Sequence, residues 1–216
     1  MSKGPALEQP RGERWSPRPG SAILSETARA GRQENRMRLR RENALLVVID
    51  LQAKLFPHIH DHDRIAEAAV RSIRGFRALE MPVLVTEQVP TALGPTIDPI
   101  RAETAGIEPI AKSAFSCCGE EKFNDAISKT GRQKILLLGI ESHVCVYQTA
   151  LDLIEGDYEV YLLADAVSSR RESDREIALR RLEQMGARLF TTEMALFEIL
   201  RGAGGDDFRK ILRIVK

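Results

Sequence analysis

Apolar positions along the chain fall into two kinds of run. Short, nearly unbroken apolar stretches recur at 44–50 (ALLVVID), 81–88 (MPVLVTEQ), 108–112 (EPIAK), 133–140 (QKILLLGI), 158–165 (YEVYLLAD) and 187–192 (ARLFTT). Stretches of that length with little polar alternation predict strands buried on both faces of a parallel sheet. Between them the period lengthens. Ile65, Ala69, Ile73, Phe76 and Leu79 follow helical spacing over 63–80, and further helices are predicted at 119–130, 143–156, 173–186, 192–202 and 205–214. Asp61 or Asp63 is placed to cap the first helix, Ser173 or Asp174 a later one, and Gly156 and Gly186 to stop two of them. The stretch 89–107, rich in Pro, Gly and Thr, reads as a long loop of the kind that usually carries function. Strand and helix alternate without repeat. This predicts an α/β fold of three layers, α/β/α, around a six-stranded, mostly parallel, doubly wound sheet.

The pattern begins only near residue 40. Residues 1–36 are rich in Arg, Gly, Pro, Ser and Glu and show little periodicity, so 1–40 reads as a disordered extension ahead of a domain at 41–216. Its arginines suit a mitochondrial presequence, but Glu8, Glu13, Glu26 and Glu34 oppose that reading, because such peptides avoid acids. The formal net charge of +1 gives no reason to expect nucleic acid or a membrane surface as partner. Three cysteines, two of them adjacent (Cys117, Cys118), do not suggest a disulfide framework; a reducing, cytoplasmic setting is expected.

Ligands of doubly wound sheets bind beyond the carboxyl ends of the strands. There the predicted order places Asp50 after strand one, Glu87 and Gln88 after strand two, Lys112 after strand three and Cys145 in the helix after strand four. An acid, an amine and a thiol thus reach one rim. A helix N-terminus and a nearby cation favour a thiolate, and together they bring such thiols to a pKa of ~3.5–7.5. Lys112 would supply the cation, Asp50 would act as general base, and N–H groups at the helix start would hold an oxyanion. That set suits attack on an electrophilic carbonyl through a thioester. Each residue also has a plain structural reading: a buried thiol, a turn aspartate, a solvated lysine. Cys117 and Cys118 read as packing residues. "PHIHDHD" (57–63) reads as a polar loop ending in a helix cap, with metal binding a weaker alternative. His143, two residues before Cys145, is expected to be structural, since neighbours two apart on a helix point away from each other.

The residues from Ala44 to Lys216 resemble the isochorismatase-like cysteine hydrolases, the superfamily that includes nicotinamidases and N-carbamoylsarcosine amidases. The likeness rests on "VVIDLQ" with Asp50, "PIAKSAFS" with Lys112, "GIESHVCVYQTA" with Gly139, Ser142, Cys145, Thr149 and Ala150, and "ADAVSSR" at 164–170. It implies the isochorismatase-like hydrolase fold and a catalytic triad of Asp50, Lys112 and Cys145. It also implies an oxyanion hole from the backbone of Glu141 and Cys145, and a cis peptide at Ile140–Glu141. Nicotinamidases carry a metal-binding Asp-x-His segment after strand two. Here "VTEQVPTALGPT" (85–96) has neither residue, so no metal and no organic cofactor are expected. "TEQVPTALGPT" and "KSAFSCC" are similar to the isochorismatase-domain-containing subgroup.

Gln88, Phe56 and Phe115 are the candidates for contact with a small-molecule substrate, and members of this fold usually form homo-oligomers. The leading expectation is a cysteine hydrolase cleaving a small amide or related C–N bond. Two rivals stand beside it: a non-catalytic binding or scaffold member of the same fold, and a thiol redox protein using Cys117 or Cys118 as resolving cysteine.

Overall fold

The computed structural model describes residues 38–216; residues 1–37, and with them nearly all of the expected extension, lie outside the described residues. Six strands form one all-parallel sheet: β1 (Ala44–Ile49), β2 (Val83–Gln88), β3 (Ile110–Lys112), β4 (Lys134–Ile140), β5 (Glu159–Ser168) and β6 (Arg188–Phe190). Their spatial order is β3-β2-β1-β4-β5-β6. Eight α-helices are described: α1 (His62–Ala78), α2 (Pro90–Leu93), α3 (Asp98–Glu103), α4 (Glu121–Thr130), α5 (Cys145–Glu155), α6 (Glu172–Gln184), α7 (Thr192–Leu200) and α8 (Gly205–Val215).

Alternating residues of the same strands feed two cores, which is why the strands read as unbroken apolar runs. Leu46, Val48, Leu136, Leu138, Tyr161 and Leu163 pack under Ile65, Ile73 and Phe76 of α1, Leu196 of α7 and Ile211 of α8. Leu45, Val47, Ile49, Ile135, Leu137 and Leu162 pack on the other face under Phe123 and Ile127 of α4, Val146 and Leu153 of α5 and Leu182 of α6. Strand order reverses between β1 and β4, so the crevice expected of a doubly wound sheet opens where those two strands end.

Several expected boundaries move. The stretch 89–107 is not a bare loop: prolines at the first turns open α2 and α3 inside it. Strand β5 runs past Asp165 to Ser168, because the Asp165 carboxylate is satisfied by the Thr192 N–H at 2.9 Å and hydroxyl at 3.2 Å, so a charge there does not end the strand. Asp61 occupies the cap position of α1 but in a left-handed conformation without a side-chain cap bond. Arg171, not Ser173 or Asp174, takes that position at α6. Among the described residues no helix is long and apolar enough to cross a membrane.

Candidate active site

Three consecutive devices bring β1 and β4 together at their carboxyl ends. Asp50 leaves β1 in a left-handed conformation, φ +53°, which turns its side chain out of the sheet. Gly139 sits at φ +143°, and a Cβ there would lie 2.2 Å from the Ile49 carbonyl oxygen. Only glycine lets β4 pass that close to the end of β1. Glu141 then leaves β4 at φ +56°. A non-glycine residue in that region costs about 1–3 kcal/mol, and such residues cluster at functional sites. The expected cis bond at Ile140–Glu141 is corrected: no peptide bond among the described residues is cis. The chain makes its sharp turn through the left-handed Glu141 instead.

Asp50 and Lys112 form a buried ion pair, Nζ to Oδ2 2.7 Å, with both side chains 1% exposed. Charges buried so deeply survive only when fully partnered. Thr86 donates its hydroxyl to Asp50 Oδ1 at 2.8 Å. The Lys112 ammonium also donates to Gln88 Oε1 at 2.5 Å and to the carbonyls of Ala114 at 3.2 Å and Phe115 at 3.0 Å. Burial lowers the Lys112 pKa, but Asp50 and the nearby thiols outweigh it and hold the ammonium above its ordinary value. Gln88 is held in turn: its amide donates to Ser113 O at 2.8 Å, and its backbone N–H donates to Gln52 Oε1 at 2.7 Å. Its side chain is occupied by Lys112 and Ser113. Thr86 and Gln52 were missed by sequence reasoning. Thr86 had a signal, since it lies two residues before Gln88 on β2 and so shares its face of the pleat.

Cys145 is the first residue of α5, 5% exposed, with its thiol close enough to Asp50 to feel the carboxylate. The N–H groups of that first turn have no partner within the helix and are open to an oxygen ligand. The three residues expected to converge do so, but the electrostatics differ from expectation. Burial, then the Asp50 charge, pushes the Cys145 thiol up to about 12, and the Lys112 cation offsets only part of this. Lys112 is already bound to Asp50, and at neutral pH Cys145 is held as a neutral thiol.

Of the two aromatic residues expected at the crevice, only the Phe115 backbone is bonded into this cluster. Phe56 is half-buried, packed on the core with its ring 5.3 Å from that of His62. Phe115 is 55% exposed and contributes only its carbonyl to Lys112. His143 lies in the turn before α5 and bonds Ser169 and Glu141, not Cys145. Cys117 is buried, its thiol 3.8 Å from the Thr86 hydroxyl and pushed up to about 11 by burial and then by Asp50; Cys118 is half-buried and pushed up to about 12 by burial and then by Cys117. The histidine loop is polar structure: His62 pairs with Asp63 at 2.9 Å, and His60 lies 3.8 Å from Glu172 beside a cavity of ≈ 100 Å³. No cluster of three or more metal-ligating side chains occurs among the described residues.

With this geometry in hand, the chain was compared with known proteins. Residues 44–194 match the family model "Isochorismatase domain". Isochorismatase domain-containing protein 2A of Mus musculus is 39% identical over 176 residues, covering 81% of this chain and 84% of that protein. Among solved structures, a protein named MAR1 Ribonuclease from Caenorhabditis elegans superposes with a TM-score of 0.78 at 36% identity, over 82% of this chain and 92% of that one. The YcaC protein of Escherichia coli, described as an octameric hydrolase of unknown specificity, gives 0.78 at 25% identity, over 82% and 89%.

Proposed function

This chain belongs to the isochorismatase family of hydrolases, and from that premise we propose that it is a cysteine hydrolase of a small amide or related C–N bond, using Asp50, Lys112 and Cys145. The observation that carries the reading is that one buried carboxylate, Asp50, meets both the Lys112 ammonium and the Cys145 thiol where strand order reverses.

The high thiol pKa sets the order of events. The nucleophile waits as a neutral thiol, and Asp50 takes its proton as Cys145 Sγ bonds to the carbonyl carbon, which avoids a standing buried thiolate beside a carboxylate. The electron pair of the carbonyl moves to its oxygen, which the N–H groups of Cys145 and the preceding turn receive. Asp50 then returns the proton to the departing nitrogen, the C–N bond breaks, and a thioester remains. Water attacks that thioester with Asp50 again as base, releasing the acid and restoring the thiol. Lys112 pairs with Asp50 and holds it in place, while Gln88 and the carbonyls of Ala114 and Phe115 hold Lys112. No step calls on a metal or organic cofactor.

The Caenorhabditis elegans neighbour is named a ribonuclease, but the Lys112 ammonium is already engaged by Asp50, Gln88 and two carbonyls and offers little to a phosphate, so we favour the amide reading. On the octamer of the Escherichia coli relative, we also propose a homo-oligomer; the compartment we propose is the cytoplasm. The test is release of ammonia from a panel of small uncharged amides. Wild type is expected to turn over at least one of them and Cys145→Ala none; equal activity of the two would end the proposal.

A further inference from the structure

The turn that carries the oxyanion-binding N–H groups, 141–144, is pinned to the exit of β5 residue by residue. The Ser142 N–H donates to Ser168 O at 2.9 Å. His143 Nδ1 lies 2.9 Å from Ser169 Oγ, and its Nε2 lies 3.4 Å from Glu141 Oε2. Arg170 Nε lies 3.0 Å from Glu141 Oε1. The carboxylate beside Nε2 favours the tautomer with its proton there, which leaves Nδ1 to accept from the Ser169 hydroxyl. The Glu141 side chain is 11% exposed and Ser169 is fully buried, while Arg170 reaches them from the surface with its side chain 62% exposed.

A device of this kind has a physical purpose. Glu141 holds φ +56°, a conformation that persists only if its surroundings over-determine it. The first turn of α5 has no side-chain cap on Val144; within the turn the Val144 N–H donates to Glu141 O at 2.8 Å, and the Ser142 N–H ties it to Ser168. The side chains of His143 and Arg170 add restraint from outside, on the strained residue Glu141 itself.

We propose that His143 and Arg170 are positioning residues: with Glu141 and Ser169 they clamp the 141–144 turn so that the N–H groups of Glu141 and Cys145 face the oxygen of the bond under attack at Cys145. The inference rests on the cysteine-hydrolase reading, and it can fail while that reading stands.

Two thiol reagents separate the cases without a known substrate. p-Nitrophenyl acetate takes the Cys145 sulfur at its carbonyl carbon as the thiol proton passes to Asp50; negative charge develops on the oxygen of that carbon, and p-nitrophenolate then leaves, with the acetyl group on sulfur. Iodoacetamide forms its S–C bond with loss of iodide, and no charge develops on the carbonyl oxygen. The ratio of the two rates at Cys145, read by mass spectrometry of the full chain's peptides, therefore reports the oxyanion-binding turn. His143→Leu and Arg170→Leu are each expected to lower the ratio about tenfold, less than the roughly 10²–10³-fold lost when an oxyanion donor is removed outright. His143→Asn, whose amide reaches the Nδ1 position and keeps the Ser169 bond, is expected to restore most of it. A merely structural loosening would change both rates alike, and an unchanged ratio in Arg170→Leu would overturn the proposal. That variant is safe for folding, because the Arg170 side chain is 62% exposed. If the wild-type ratio were no higher than that of a free thiol, the oxyanion reading itself would fall.

Discussion

Removing one partner of the Asp50–Lys112 pair should cost far more than removing both. The two side chains are 1% exposed and 2.7 Å apart, so either survivor stays buried as an uncompensated charge. Breaking such a pair costs about 3–5 kcal/mol, whereas replacing both members by neutral groups of similar size is often close to neutral. The partners make the two single variants unequal. In Asp50→Asn the ammonium keeps Gln88 Oε1 and the carbonyls of Ala114 and Phe115, three neutral acceptors, which argues for the low end, about 3 kcal/mol. In Lys112→Met the carboxylate keeps the Thr86 hydroxyl and the Cys145 thiol, but Gln88 Oε1 and both carbonyls lose their donor, which argues for about 5 kcal/mol. The double variant Asp50→Asn/Lys112→Met should cost less than either single variant, and so fall at least about 5 kcal/mol below their sum of about 8 kcal/mol. Urea unfolding followed by circular dichroism measures all four corners of the cycle, with no substrate needed. Additivity within about 0.5 kcal/mol would show that the two charges are not coupled and would refute the reasoning.

The left-handed Gly139 gives a second expectation: Gly139→Ala must displace the Ile49 carbonyl, 2.2 Å from the new Cβ, and should cost about 2 kcal/mol or more in urea unfolding while Gly131→Ala, with open space around it, costs less. For Thr86→Val, isosteric but lacking the hydroxyl bonded to Asp50 Oδ1, a loss of about 1.5–3 kcal/mol is expected, with Thr86→Ser retaining most of it; equal stability of the two would remove Thr86 from the network. The iodoacetamide rate at Cys145 should climb without levelling as pH rises from 7 to 10, since the thiol is pushed up to about 12, and a plateau below pH 8 would contradict the neutral resting state. Stability itself should fall in alkali. The unfolded thiols ionise near 9 and the folded ones near 11 for Cys117 and 12 for Cys145, so the folded chain binds more protons in that window; the contribution is complete below pH 9 and lost as pH rises through 11 and 12, measured as thermal midpoint against pH.

The layers were legible because burial on both faces leaves a plain mark. "ALLVVI" and "KILLLGI" are wholly buried, each alternating its side chains between two cores, and no other element type produces short unbroken runs of that kind between helices. The rim placement of Asp50, Lys112 and Cys145 followed from strand order alone. What sequence could not carry was what each side chain is bonded to once there. Gln88 ends a buried strand, and from that alone contact with substrate or with Lys112 are equal readings; the fold decides by placing the β3 exit beside it, 2.5 Å away. Phe115 stands three residues after the lysine in sequence, and it is its carbonyl that Lys112 holds, while its side chain is more than half exposed.

The reversed thiol electrostatics has the same origin, and it bears on the mechanism more than any boundary does. A cation near a cysteine lowers its pKa only to the extent that the cation is free. Lys112 is shared among Asp50, Gln88 and two carbonyls, so the field it sends toward Cys145 is largely cancelled by the carboxylate between them. Burial then decides the direction. A pre-formed thiolate would sit beside the ionised Asp50, two like charges in a nearly dry crevice; a thiol that gives its proton to Asp50 during attack keeps the net charge of the cluster constant through the step. The geometry therefore assigns the work of activation to proton transfer, which makes Asp50, not Lys112, the residue whose conservative replacement should leave thiol alkylation intact in strong alkali, where hydroxide removes the proton, while slowing it most at neutral pH.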